Sequence, residues 1–230
     1  MSIEGIKGLA KTLSYYSVAQ ETMANNLANV SSDAFKALRV SAFESEVGGF
    51  PIPVQELDLT QGSLRTTGRP LDLAIDGEGF LKVRTPAGDR LTRGGGLLLD
   101  GSGRITDRSG NPLLDSSGEV IAVPPGEVAI AENGVISVDG AVVASLELVA
   151  SDAANLLSEG GGRFQTTIPM EQLSPATGRI RQGMIEDANV DGVRGMMDMM
   201  LIQRAYATNV DAMRTLDGVL ESVVSEVGRI

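Results

Sequence analysis

Along the first thirty residues, apolar side chains stand at Ile6, Leu9, Leu13, Tyr16, Met23, Leu27 and Val30, with Gln20 as the one polar member of the row. The steps alternate between three and four, which places every member on a single seam of an α-helix. The last forty residues repeat the device at Met199, Ile202, Tyr206, Asn209, Met213, Leu216, Leu220, Val223, Val227 and Ile230. The two seams predict helices from Ile3 to Val30 and from Asn189 to Gly228 that meet as a coiled coil or small bundle. A second apolar stripe, Val193, Met197, Leu201, Ala205, Ala212 and Val219, runs beside the C-terminal seam. One partner helix cannot cover both stripes. Six of the nine methionines lie in or just before this helix, and flexible methionine suits surfaces that must fit partners.

The middle of the chain has a different period. Short valine-rich runs such as "LDLAID", "FLKVRT", "EVIAV" and "GVISV" alternate with "PAGD", "DGSG", "DRSGN", "DSSG", "PPGE", "ENG" and "VDG". Turns at such short intervals predict hairpins and meanders, with Asx and glycine supplying positive φ. The fold class expected is therefore α+β, with terminal helices forming one domain and an all-β domain inserted between them. Residues 1–30 together with 183–230 make the helical part and residues 61–149 the β part. Residues 31–60 read as a linker, and residues 150–182 as an extended connector, because glycine and proline interrupt both.

Charge and candidate chemistry narrow the function. The 19 basic and 30 acidic residues give −11 with no basic cluster, which argues against nucleic acid and anionic membrane surfaces. There is no cysteine and no histidine, so thiolate nucleophiles, imidazole bases and ordinary zinc sites are excluded. "RGGG" at Arg93 to Gly96 and "EGGG" at Glu159 to Gly162 lack the lysine and hydroxyl of a phosphate-binding loop and read as tight turns. "DRSGNPLLDSSGE", Asp107 to Glu119, is rich in oxygen but lacks the ligand order of a calcium loop. The pairs Asp72/Asp76 and Asp76/Glu78 read as solvated strand edges rather than as a glycosidase dyad. The expectation is no catalytic residue, no cofactor and no metal. No run of about 18 apolar residues occurs, so no membrane insertion is expected. The N-terminus lacks the basic and apolar regions of a cleaved secretory signal.

That leaves "ANNLANV", Ala24 to Val30, where three asparagines crowd the end of a helix. Asparagine is a mediocre helix former, so the cluster asks for a purpose. Asn25, Asn26 and Asn29 line one face, where amides that both donate and accept can bond across a packed interface. The bland alternative is a solvated, fraying helix end. Gln20 and Asn209 would fix the register of the seams.

"MANNLANVSSDAFKA", "QGSLRTTGRPLDLAIDGEGFLKV" and "GMIEDANVDGVRGMMDMMLIQRAYATNVDAMRTLDGVL" together resemble, in order, the three blocks of the bacterial flagellar axial proteins. The departures are Ser32 for threonine, Ala34 for the glycine before Phe35, and Gly195 where an acidic residue is usual. Ala34 suggests that no positive φ is needed there. The short connector between Phe35 and Gln61 and the closing "SVVSEVGRI" are similar to proximal-rod members, with distal-rod members, which usually carry a longer insertion there, as the alternative, and the length excludes a hook protein. The resemblance implies a structural subunit of the periplasmic rod that packs against other rod proteins and copies of itself. It also implies passage through the flagellar type III export apparatus without a cleaved signal. Asn25, Asn26, Leu27, Asn29, Met199, Ile202, Tyr206, Asn209, Met213, Leu216, Leu220 and Val223 would form the assembly interface. Phe43 and Val47 in "FESEV" are a candidate export-gate motif. The reading from another class is a free-standing coiled-coil dimer with a ligand-binding β-domain.

Overall fold

The computed structural model describes residues 3–44 and 51–227, which divide into two compact units. One unit takes its chain from residues 1–28, 38–56 and 191–230, the other from residues 29–37 and 57–190.

The first unit carries the two long helices, α1 (Ile3–Ala28) and α2 (Gly192–Val227). Asp191 starts α2: its Oδ1 accepts the N–H groups of Val193 and Arg194, both at 3.0 Å, and so satisfies donors that no helical carbonyl can reach. The start of α2 lies against the end of α1. A side chain on buried Gly195 would begin 3.6 Å from Met23 Sδ and 4.0 Å from Leu27 Cδ1. A Cβ would thus meet only ordinary contacts, and what a longer acidic side chain would meet beyond it is apolar, Met23 and Leu27. The segment expected as a linker contains β1 (Leu38–Glu44) and β2 (Pro51–Leu57), which pair with each other. A two-stranded sheet consists only of edges, so it tolerates the prolines that argued for a loop.

The second unit is built of short strands, with single 3-10 turns at Ala153–Asn155 and Met170–Gln172. Its strands are β3 (Leu64–Thr66), β4 (Leu73–Asp76), β5 (Leu81–Thr85), β6 (Gly88–Thr92), β7 (Leu98–Leu99), β8 (Ile105–Thr106) and β9 (Val128–Ile130). They continue as β10 (Val135–Val138), β11 (Ala141–Ser145), β12 (Val149–Ala150), β13 (Leu156–Gly160), β14 (Arg163–Thr166), β15 (Ser174–Pro175), β16 (Arg179–Gln182) and β17 (Met184–Glu186). The largest sheet has the order β13-β14-β6-β5. Residues 150–182 are thus not a bare connector: β13 and β14 extend the β5–β6 hairpin, and β16 pairs antiparallel with β4. A bulge between Ser158 and Gly160 breaks the alternation that would have announced β13. Between β10 and β11, Asp139 and Gly140 both have positive φ, at 48° and 83°, the geometry of a two-residue hairpin turn.

Three D-x-S-G turns organise the centre of this unit. The Oδ1 atoms of Asp100, Asp107 and Asp115 each accept backbone N–H bonds from the second and fourth residues onward, at 2.8–2.9 Å. The turns return the chain so that Ile105 N–H bonds Ile121 O, Leu113 N–H bonds Ile105 O, and Ile121 N–H bonds Leu113 O. That closed triangle buries Ile105, Leu113 and Ile121 in a core shared with Leu73, Ile75 and Leu81.

Candidate assembly interface

On α2, half-buried positions mark the expected seam at Met199, Ile202, Asn209, Met213 and Leu216, whereas Tyr206 is exposed. Asn209 directs its amide into its own helix, where Nδ2 donates to Ala205 O at 2.8 Å. Leu220 and Val223 lie in α2, but their side chains, like Val47, fall outside the described residues. The second stripe faces out except at half-buried Ala205: Val193 is 73%, Leu201 61% and Met197 52% exposed, with Met196 and Met200 beside them. An apolar row of this length on one helix is a surface built to be covered.

The asparagine cluster separates into different tasks. Asn25 is exposed and Asn29 half-buried, whereas Asn26 is buried. Its Nδ2 donates to Leu38 O at 2.7 Å and its Oδ1 accepts Leu38 N–H at 2.9 Å. The amide thus acts as a short strand neighbour, holding the start of β1 on α1. Gln55 reinforces this by donating to Thr22 Oγ1 at 2.6 Å. Leu27 is half-buried beside Gly195. Phe43, from the candidate export motif, is 57% exposed on β1.

Sequence reading missed a buried ionic knot in the second unit. Lys36 Nζ donates to Glu186 Oε1 at 2.7 Å and to Thr60 O at 2.6 Å. Glu186 also accepts Gly62 N–H at 2.9 Å and Arg93 Nε at 3.0 Å. Arg93 fans its remaining donors onto the carbonyls of Gly79, Gly77 and Ile75, and its guanidinium lies 5.8 Å from the Phe80 ring centroid. Burial pushes the Lys36 ammonium below the usual lysine value, against the opposing hydrogen bond and charge of Glu186. Next to it, Asn189 ties three segments, accepting Ala37 N–H at 2.7 Å and donating to Asp58 O and Thr60 O. The one signal in the sequence was that Lys36, Glu186 and Asn189 stand inside the family-like blocks.

The other candidate chemistry is committed elsewhere. "RGGG" supplies Arg93 to the knot, and Gly95 lets the chain pass where a Cβ would sit 1.4 Å from Leu73 O. Asp72 is gripped by both arms of Arg69 at 2.8 Å, and Asp76 pairs with Arg181. Ala34 corrects an expectation: its φ is 52°, so this position does adopt the left-handed region that the family's glycine prefers. The cause is local, because Ala34 N–H must turn inward to reach Glu186 O at 2.7 Å.

The flagellar basal-body rod protein FlgF of Rhizobium meliloti is 30% identical to this chain over 223 residues, which cover 90% of each protein. FlgF of Escherichia coli is 31% identical over 223 residues, covering 86% of this chain and 88% of the relative. This chain belongs to the flagellar basal-body rod protein family. FlgG of Bacillus subtilis, also a basal-body rod protein, is 26% identical over 258 residues, covering 96% of each. The family description "Flagellar basal body rod FlgEFG protein C-terminal" matches residues 181–226, which include Glu186, Asn189, the Asp191 cap and nearly all of α2. A second, "Flagellar hook protein FlgE/F/G D1 domain", matches residues 74–144, which include Arg93 and the three D-x-S-G turns. In this rod-protein chain the family-matched regions therefore hold both the outward apolar stripe and two members of the knot.

Proposed function

We propose that the chain is a structural subunit of the flagellar basal-body rod, of the FlgF kind, at the proximal end of the rod. Its helices pack against other rod proteins and copies of itself as a coiled-coil bundle, and the assembled tube transmits torque across the periplasm and lines the export channel. The subunit reaches that place through the flagellar export apparatus without a cleaved signal, with Phe43 and Val47 as the candidate gate contact. The observation that carries the reading is the uncovered stripe of Met197, Met200 and Leu201 on α2 in a chain related to rod proteins along most of its length. FlgF is favoured over the distal FlgG because the FlgG alignment spans 258 positions against a chain of 230, whereas the FlgF alignment needs 223. Immunogold labelling of purified basal bodies tests the assignment. Label on the proximal rod is expected; label on the distal rod transfers the chain to the FlgG role. Sedimentation of the isolated protein tests the class: a monomer is expected, and a stable dimer of defined mass favours a free-standing binding module.

A further inference from the structure

The outward faces of the two helices fit one another. On α1 the exposed row is Ala10, Ser14, Ser17, Glu21, Ala24 and Ala28, all small except for one carboxylate. On α2 the exposed row is Met197, Leu201, Arg204, Thr208, Asp211 and Thr215, large at its start and polar beyond a single arginine. Read from opposite ends, both rows step by four, three, four, three and four. That register sets Met197 against Ala28, Leu201 against Ala24, Arg204 against Glu21, and the hydroxyls and Asp211 against Ser17, Ser14 and Ala10. Among the described residues neither Glu21 nor Arg204 has an ion-pair partner.

We propose that α2 of one subunit docks antiparallel on α1 of a second copy of this chain in that register, with a Glu21–Arg204 ion pair between subunits. The proposal rests on the rod reading and names the partner surface for its exposed stripe. Large apolar side chains meet alanines, so the helices approach closely, and the paired charges set the register as charged positions do in coiled coils. The α1 row carries one carboxylate and the α2 row carries Arg204 and, seven residues on, Asp211, so slippage by seven residues either sets Glu21 against like-charged Asp211 or leaves it facing Met197. Because the two faces differ, each copy retains a free α1 face and a free α2 face after docking. Such a heterologous contact propagates rather than closing into a dimer.

The test uses the full-length chain in a flagellated host lacking its own copy. Glu21→Arg and Arg204→Glu are each expected to reduce the protein recovered in purified basal bodies by about tenfold or more, and the double reversal to restore it. The chain has no cysteine, so Ala24→Cys combined with Leu201→Cys reports the contact directly. Oxidised basal bodies should yield covalent dimers and larger species, with neither single variant doing so. A double reversal no better than either single, or only monomer from basal bodies that contain the double-cysteine chain, overturns the register while leaving the rod reading intact. Absence of even the unaltered chain from basal bodies overturns both.

Discussion

The two units bury different kinds of residue. Among the described residues, every one of the largest fully buried side chains, from Phe164 and Leu73 to Ile180 and Lys36, belongs to the β unit. Among the described residues of the helical unit the buried positions are small or polar, namely Ala19, Thr22 and Asn26 with two glycines, and the seam residues of α2 are half-covered or, at Tyr206, exposed. The β unit also exposes apolar residues, Leu98, Leu99, Val142 and Leu157, but scattered over short strands and edges rather than in one row. Burial of a large aliphatic side chain is worth roughly 1.5–3 kcal/mol, so the β unit carries its stability within itself. The helical unit leaves much of its apolar surface for partners. That division suits a structural subunit of the rod-protein family, whose place is in an assembly.

The largest effect that bears on the contrast is expected at Glu186. Glu186→Ala strands Lys36 and Arg93 as buried, unpaired cations, a defect worth about 3–5 kcal/mol. Urea unfolding of the purified chain should show that loss. Replacing Met197 and Leu201 together by serine should change unfolding by no more than about 0.5 kcal/mol, since both positions are exposed, while removing the chain from assembled rods. The opposite pattern, stability lost at the stripe and unaffected at Glu186, would break the comparison.

Asn26→Ala comes next. It removes two hydrogen bonds to Leu38 and leaves that backbone pair half-buried without partners, a loss of roughly 1–3 kcal/mol. The readout is amide exchange. Protection should fall in α1 and β1 and persist at Ile105, Leu113 and Ile121. Uniform loss across the chain would mean that the two units unfold as one.

Acid should act on the β unit through its turns. A hydrogen bond from the Ser117 hydroxyl and bonds from turn N–H groups hold the Asp115 carboxyl below the usual carboxylate value, and bonds from the Arg104 backbone and side chain do the same for Asp100. A depressed folded-state value means that the unfolded chain takes up protons first as pH falls. The stabilisation is therefore complete above about pH 4, the ordinary aspartate value, and is lost below it. Asp100→Asn combined with Asp115→Asn should flatten the acid limb of a melting-temperature profile, and an unchanged limb would remove these turns from the account.

Much of this contrast was legible beforehand, for a physical reason. Helix faces and hairpin turns are local, so the three-four steps that run through Leu27 and Leu216 and the positive-φ pairs such as Asp139–Gly140 announce themselves. Observed α1 and α2 end within three residues of the expected limits. The knot is not local. Lys36 and Glu186 are 150 residues apart, and nothing in either neighbourhood calls for the other. Periodicity also names a face without naming its occupant. It put Asn26 on the side with Asn25 and Asn29, but whether that amide meets a neighbouring subunit or Leu38 depends on β1, a strand hidden by the glycines and prolines that follow it.

The smallest effect lies at Ala34, where the sequence suggested relaxed backbone and the chain is left-handed. An L-residue in that region carries roughly 1–2 kcal/mol of strain. Ala34→Gly removes it but gives up a buried methyl and increases the freedom of the unfolded chain, which together offset much of the gain. The expected net change is a stabilisation of about 0.5 kcal/mol, read as a shift of the urea midpoint at constant slope. The strain is held in place by the Ala34 N–H bond to Glu186 O, whose side chain anchors the knot, so Ala34→Gly should also recover part of the stability lost in Glu186→Ala. A loss of more than about 1 kcal/mol in Ala34→Gly alone would show that the packed methyl, rather than the backbone, decides this position, and that the β unit tolerates the strain because its core requires that carbon.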